Sequence, residues 1–255
     1  MRKIIILFAF TTLLFSCNRK SDLSEGKVED SGLIKVNILL HQDLTKQNVR
    51  YVIANILDKE GYPIVNDSIK VTVNGQLLQS IARPNMGTFD YSYGTETDVP
   101  IADEYLFEIE LTDGKKYILG SIIPIQKMNE KDIVCSVCSS PAVWSEKGDL
   151  SQDVTISWQN LKEINELSVY KKYKSIKPDS TNNYQNDNNE IFEKIESSGK
   201  YTVSKTEYIK NNMPIEFIVF GFKASKEGKI NPDLVAGSKI IIEGKIEKDI
   251  YFNRK

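Results

Sequence analysis

Cys135 and Cys138, three positions apart in Cys135-Ser-Val-Cys138, form the most chemically suggestive local motif in the body of this 255-residue chain. Cys-x-x-Cys spacing can serve a redox couple, half of a zinc site or a short disulfide. A redox couple belongs in a βαβ setting, and no such pattern surrounds these cysteines. A zinc site needs two further ligands, yet the chain has one histidine, His41, and no fourth cysteine. Residues three apart in a straight strand lie about 10 Å from one another, beyond disulfide reach, so a bridge here requires a turn. A small disulfide between Cys135 and Cys138 is the expected state, with two free thiols as the alternative.

Other candidates for chemistry fare less well. A nucleophile triad would have to be built on His41, but no Gly-x-Ser-x-Gly elbow occurs, so His41 reads as a surface residue at a strand end. Glu108 and Glu110 alternate with apolar residues and read as the wet face of a strand. The oxygen-rich stretch from Asp179 to Glu190 lacks the spacing of an EF-hand and reads as a long polar loop. No catalytic residue, metal or cofactor is therefore expected. Rings are the remaining resource, since Trp and Tyr can stack on sugar faces. Trp158 alternates with Val154 and Ile156 and belongs to a core. Trp144, Tyr91 and Tyr93 are the candidate ligand-facing aromatics.

The N-terminus carries a more specific signal. Arg2 and Lys3 precede an apolar run from Ile4 to Phe15 that is too short to span a bilayer, and Leu14-Phe15-Ser16-Cys17 closes it. These residues resemble the lipobox of bacterial lipoprotein precursors, with Phe15 larger than the residue usual at its position. The resemblance implies that residues 1–16 are a removed signal and that Cys17 carries acyl chains such as palmitate. Each buried methylene contributes roughly 0.8 kcal/mol, so two or three chains anchor firmly without spanning. Asn18 in place of Asp implies, by the same resemblance, the outer membrane. Bacteroidota-type lipoproteins carry an acidic cluster after the cysteine for surface export, whereas Arg19 and Lys20 stand there here, leaving the periplasmic or surface-facing side open.

Composition bounds the rest. Loss of residues 1–16 removes Arg2 and Lys3 and no acid, taking the net charge from −2 to −4. A mildly acidic chain without a basic stripe has no electrostatic footprint for nucleic acid. Residues 17–31 are nearly devoid of apolar side chains and read as the lipidated cysteine followed by a flexible tether. Such a tether would hold the first domain tens of ångströms from the lipid.

From Leu33 onward apolar residues recur with period two, the pattern of half-buried strands. Ile34, Val36, Ile38 and Leu40 share one face; Val49, Tyr51, Ile53 and Leu57 are read as another. Ile69, Val71 and Val73 run into Asn74-Gly75, and Tyr105, Phe107, Ile109 and Leu111 into Asp113-Gly114, two tight-turn signals. Tyr117, Leu119 and Ser121 follow. Asp58 to Gly75 resembles bacterial immunoglobulin-like modules, a resemblance covering roughly 32–126. After an interdomain segment at 127–150, Val154, Ile156 and Trp158, then Leu167 and Val169, Tyr201 and Val203, Ile218, Phe220 and Phe222, and Ile240 and Ile242 repeat the pattern. This part, 151–255, or from 133 if its first strand begins there, resembles a fibronectin type III module, with Ile218 where that family has a tyrosine.

The fold class expected is all-β, two tandem antiparallel β-sandwich domains after a cleaved lipoprotein signal and tether. The expected function is that of a lipid-anchored cell-envelope protein without catalysis, an interaction or structural module binding another envelope protein. The alternative is a glycan-binding accessory lipoprotein of a nutrient-uptake system.

Overall fold

The computed structural model describes residues 20–252 apart from 47, 86–87, 96, 138–144 and 175–185. Cys17, Cys138, Trp144 and Tyr184 lie outside the described residues. Among the described residues the chain is all-β, with short 3-10 turns and no α-helix, so no helix is long and apolar enough to cross a membrane.

The strands in chain order are β1 (Lys35–Gln42), β2 (Val49–Leu57), β3 (Lys70–Val73), β4 (Gln76–Leu77), β5 (Gln79–Asn85), β6 (Thr88–Gly94), β7 (Tyr105–Glu110) and β8 (Lys116–Ile122). There follow β9 (Ile133–Cys135), β10 (Ser145–Lys147), β11 (Val154–Trp158), β12 (Glu166–Lys174), β13 (Asn186–Lys194), β14 (Gly199–Val203), β15 (Ile209–Lys210) and β16 (Met213–Glu227). The last are β17 (Lys229–Ile230) and β18 (Lys239–Tyr251). The compact units are not two successive stretches as the sequence boundaries assumed. The first takes the described residues to His41, Val49–Pro124 and Glu227–Ile242; the second takes Gln42–Asn48, Ile125–Lys226 and the chain from Glu243. Period-two patterning identifies strands but not their partners, so the return of β17 to pair with β8, Lys229 opposite Ser121, could not be read from it.

In the first unit, alternation of residue type becomes alternation of burial. Ile34, Val36, Ile38 and Leu40 are buried, as are Val71, Val73, Tyr105, Phe107 and Ile109 on the facing sheet. That sheet has the order β17-β8-β7-β3-β4, and β1, β2, β6 and β5 are neighbours in the other. Two sheets each burying one face make a sandwich. Asn74 (φ 48°) and Gly75 (φ 79°) form the turn joining β3 to β4, and Gly114 (φ 80°) closes the β7–β8 hairpin. Two faces depart from the simple alternation. In β2, Arg50 and Tyr51 are both exposed, and the buried set becomes Val52, Ala54 and Ile56. In β8 the register shifts opposite Phe107 and Glu108, so Leu119 and Ile122 are buried while Tyr117 and Ser121 are only partly covered.

The segment read as a flexible tether is packed from Lys20 onward. Ser21 N–H donates to Pro63 O at 3.0 Å, and Asn66 Nδ2 donates to the carbonyls of Ser24 and Gly26. Val28 is fully buried; its N–H donates to Thr112 Oγ1 at 2.8 Å, and its carbonyl accepts from the Thr112 N–H and hydroxyl. One apolar side chain suffices because the ordering comes from main-chain hydrogen bonds, to which composition is blind.

In the second unit, β13, β12, β16 and β18 are neighbours in the larger sheet, with β15 on β16 and β10 parallel to β18; β14-β11-β9 is the smaller. The two layers meet through Trp158 against Phe222, centroids 5.6 Å apart, and Tyr201 against Phe220 at 6.5 Å. Residues Asn186–Glu190 belong to β13 and not to a loop: β12 offers them a complete antiparallel partner, which outweighs their poor strand propensity.

Burial raises the pKa of Tyr93, Tyr105, Tyr173 and Tyr201, and that of Tyr208 to about 12, with the Asp153 carboxylate adding to the last. Tyr208 donates to Gln152 O at 2.8 Å and packs on Phe252. The unfolded chain, whose tyrosines titrate near 10, loses these protons first. Stability is therefore unchanged by these groups below about pH 10 and falls as pH rises through 10 to 12, by roughly 1.4 kcal/mol per pH unit for Tyr208 alone. Urea midpoints should drop from pH 9 to 11, and less steeply in Tyr208→Phe. Equal pH slopes in the two proteins would count against this assignment.

Candidate functional site

The outer face of the larger sheet in the second unit gathers rings from four strands. In β12, Leu167, Val169, Lys171 and Tyr173 are buried, and the opposite parity, Glu166, Ser168, Tyr170 and Lys172, points outward. Tyr170 pairs with Val219 and Lys172 with Phe217, after which the register shifts so that Tyr173 faces Ile215. Tyr170, Phe217 and Tyr251 then stand in a row, with centroids 5.8 Å and 5.5 Å apart and planes tilted by 39° and 47°. Phe192 on β13 lies opposite Ser168, which pairs in turn with Gly221. Phe192 is 55% exposed and Tyr251 42%.

Gly221 has a steric role. A Cβ there would sit 2.5 Å from Ser168 Oγ and 2.7 Å from Lys245 Cε. Ser168 and Gly221 are buried at the centre of this face, with Ser168 Oγ donating to Gly221 O and the Lys245 stem lying over Gly221. Charged side chains flank the face in pairs: Lys172 and Lys174 both on Glu216, Lys223 on Glu166 at 3.1 Å, and Lys245 on Glu247 at 2.5 Å. Lys172 and Lys223 also lie over the rings of Phe217 and Phe192 at 5.3 Å and 4.8 Å. Around these aromatics four lysines meet three glutamates, a formal balance of 4 − 3 = +1.

On the buried side, Lys171 is 2% exposed and its ammonium meets Glu207 Oε2 at 2.5 Å. Glu207 closes a capping box with Ser204, and Tyr173 donates to its carbonyl at 3.0 Å. This pair stiffens the sheet behind the rings; a cation held by a carboxylate is not a general acid–base pair.

Of the aromatics singled out from sequence, Tyr91 and Tyr93 lie two apart on β6. Tyr93 is 7% exposed and Tyr91 half-buried: period-two alternation set both on one face but could not give the depth of each. Lys20 lies 4.7 Å over the Tyr91 ring, and Trp144 lies outside the described residues. The rings that do converge are Tyr170, Phe192, Phe217 and Tyr251; three of them carried a signal in sequence, a strand position of polar parity, whereas Phe217 stands between Ile215 and Val219 in its parity. Cys135 is disulfide-bonded, to a partner outside the described residues. His41 stacks on Tyr51 at 4.2 Å near the end of β1. Asp187, from the stretch considered for calcium, takes Lys210 at 3.0 Å and Asn211 at 3.1 Å. No cluster of metal-ligating side chains occurs among the described residues.

Two hollows lie elsewhere. One of about 500 Å³ in the first unit is lined by Lys20, Leu23, Leu33, Asp58, Lys59 and Tyr62 among others. Its Asp58 carboxylate accepts the N–H groups of Glu60 and Tyr62 at 3.0 Å and 2.9 Å. The other, about 250 Å³ in the second unit, contains Asp132 and Glu163. Burial acts to raise the Glu163 pKa, but the Gln126 N–H and the Lys226 ammonium outweigh it and hold the carboxyl below its usual range.

No protein-family model matches the chain, and no curated protein does. Among solved structures, two crystal forms of a cytokine receptor complex align at 12% identity and a TM-score of 0.26. One alignment covers 74% of this chain and 90% of the other, and the second covers 85% and 95%. A TM-score this low lends no weight to a shared fold, and the all-β sandwich reading rests on the strands of this chain itself.

Proposed function

We propose that this protein is a lipid-anchored component of the cell envelope, held in the outer membrane through Cys17, whose second unit binds another envelope protein without chemistry of its own. The observation that carries the binding role is the row of half-buried Tyr170 and Phe217 with exposed Tyr251, beside exposed Phe192, on one sheet face flanked by ion pairs. Interface hot spots draw on such aromatic anchors, each contributing on the order of 2 kcal/mol or more. An acylated Cys17 sulfur leaves Cys138 as the one other thiol in the chain for Cys135.

The ring spacing favours one second reading. Rings repeating at 5.5 to 5.8 Å could stack successive sugar units, with the flanking Lys and Glu side chains meeting hydroxyls. Their tilt and mutual packing suit a protein partner better. The double variant Phe192→Ala/Tyr251→Ala should fold normally and lower recovery of the crosslinked partner from envelopes at least tenfold, with no change in retention on polysaccharide columns. Undiminished partner recovery would refute the assignment of this face, and loss of polysaccharide retention in its place would install the glycan reading.

A further inference from the structure

The packed N-terminal segment has a consequence for where the first unit stands. Ser21 is fixed to Pro63 and Val28 to Thr112, so the chain is part of the first unit at least from Ser21. Four residue steps separate Ser21 from Cys17, and a fully extended chain spans at most about 14 Å over that distance. A free tether would have given the domain a stalk; the docked segment removes it.

Resting on the reading that Cys17 is acylated, we infer that the end of the first unit carrying the 500 Å³ hollow is seated on the headgroup layer of the bilayer. The hollow is lined by Lys20, whose position in the chain is three residues from Cys17. Its exposed groups suit that layer. Tyr62 and Leu33 are 37% and 41% exposed there, and an aromatic ring with a polar tip is at home at the membrane–water boundary. Lys20 and Lys59 offer cations on long stems to anionic headgroups. Among the acids, Asp22 is exposed on the lining, Asp58 is turned inward onto the N–H groups of Glu60 and Tyr62, and Glu60 lies 3.6 Å from the Lys59 ammonium. The opposite end of the same unit is marked by Glu104, whose carbonyl accepts from Asn74 at the far turn. Glu104 and Thr112 flank β7 eight residues apart, which puts Glu104 roughly 26 Å from the Val28–Thr112 contact.

The test uses the full acylated protein, extracted from membranes and reconstituted into vesicles of phosphatidylethanolamine and phosphatidylglycerol containing a nitroxide-labelled lipid. A fluorescent amino acid is placed at Leu33, Tyr62 or Glu104 in turn. Quenching at Leu33 and Tyr62 should exceed that at Glu104 at least twofold. Inserting a flexible Gly-Ser linker of about twenty residues between Lys20 and Ser21 should bring Leu33 down to the Glu104 level. Equal quenching at Leu33 and Glu104, or quenching at Leu33 that survives the linker, overturns the seating. Mass spectrometry of the N-terminal peptide separates the two layers of inference: acyl mass with equal quenching defeats the seating alone, and a peptide without acyl mass defeats the anchor and the seating together.

Discussion

Replacing Gly120 by alanine should destabilise the first unit by about 3 to 5 kcal/mol, the sum of a strained backbone and an overpacked contact. Gly120 has φ +152°, and a Cβ there would lie 2.2 Å from the carbonyl oxygen of Lys229, 2.9 Å from Ile240 Cδ1 and 3.2 Å from Ile230 Cα. Two of these three atoms are backbone, so no side-chain rotation relieves the clash. The oxygen can retreat only if β17 leaves β8, breaking the pairs Lys229–Ser121 and Ile230–Gly120. That pairing is where the C-terminal part of the chain returns to the first unit, so alanine should loosen 227–242 as well. Gly114→Ala serves as the comparison: its φ is +80°, but its Cβ would meet open space, and it should cost only about 1 kcal/mol. Hydrogen exchange of Tyr105–Glu110 and the urea midpoint check both variants. Indistinguishable midpoints for Gly120→Ala and Gly114→Ala would refute the steric argument.

Cys17→Ser should move nearly all of the protein from the membrane to the soluble fraction, still folded. Each acyl methylene contributes roughly 0.8 kcal/mol to anchoring, so removing two or three chains removes the attachment almost entirely. Among the described residues the contacts nearest the N-terminus are Lys20 over Tyr91 and Ser21 on Pro63, and serine at position 17 leaves both in place. Thermal unfolding of the released protein should match that of the anchored one in detergent. A variant that stays in the membrane fraction would show that something other than Cys17 holds it there.

Strand positions and turns were the legible part of the fold. Asn74-Gly75 turns as a pair with φ > 0, Asp113-Gly114 turns with Gly114 alone at positive φ, and runs such as Tyr105, Phe107 and Ile109 bury the side their period marks. Parity failed where the backbone inserts a residue: the shift in β8 and the doubled exposure of Arg50 and Tyr51 in β2 depend on partner strands, which local pattern does not specify. The N-terminal strap failed for another reason, since its order comes from carbonyls and N–H groups that every sequence possesses. Residues Asn186–Glu190 read as loop because their own propensity is poor, and β12 overrules it. The ring cluster was out of reach of local reading altogether. Tyr170, Phe192, Phe217 and Tyr251 come from four strands, and only register brings them to one face. A search for aromatics at polar-parity strand positions would have found Tyr170, Phe192 and Tyr251 singly, without Phe217 and without showing that they meet.

Partner binding through that face is tested most directly by photocrosslinking in intact envelopes, with a photoreactive phenylalanine analogue at position 192 and, as comparison, at Leu77 on the first unit, which is 46% exposed. Position 192 should yield one discrete protein adduct, lost when Phe217→Ala and Tyr251→Ala are added, while position 77 yields none. A position-192 probe that gives no adduct, or gives the same adduct as position 77 irrespective of the ring substitutions, would contradict a docking role for the aromatic face.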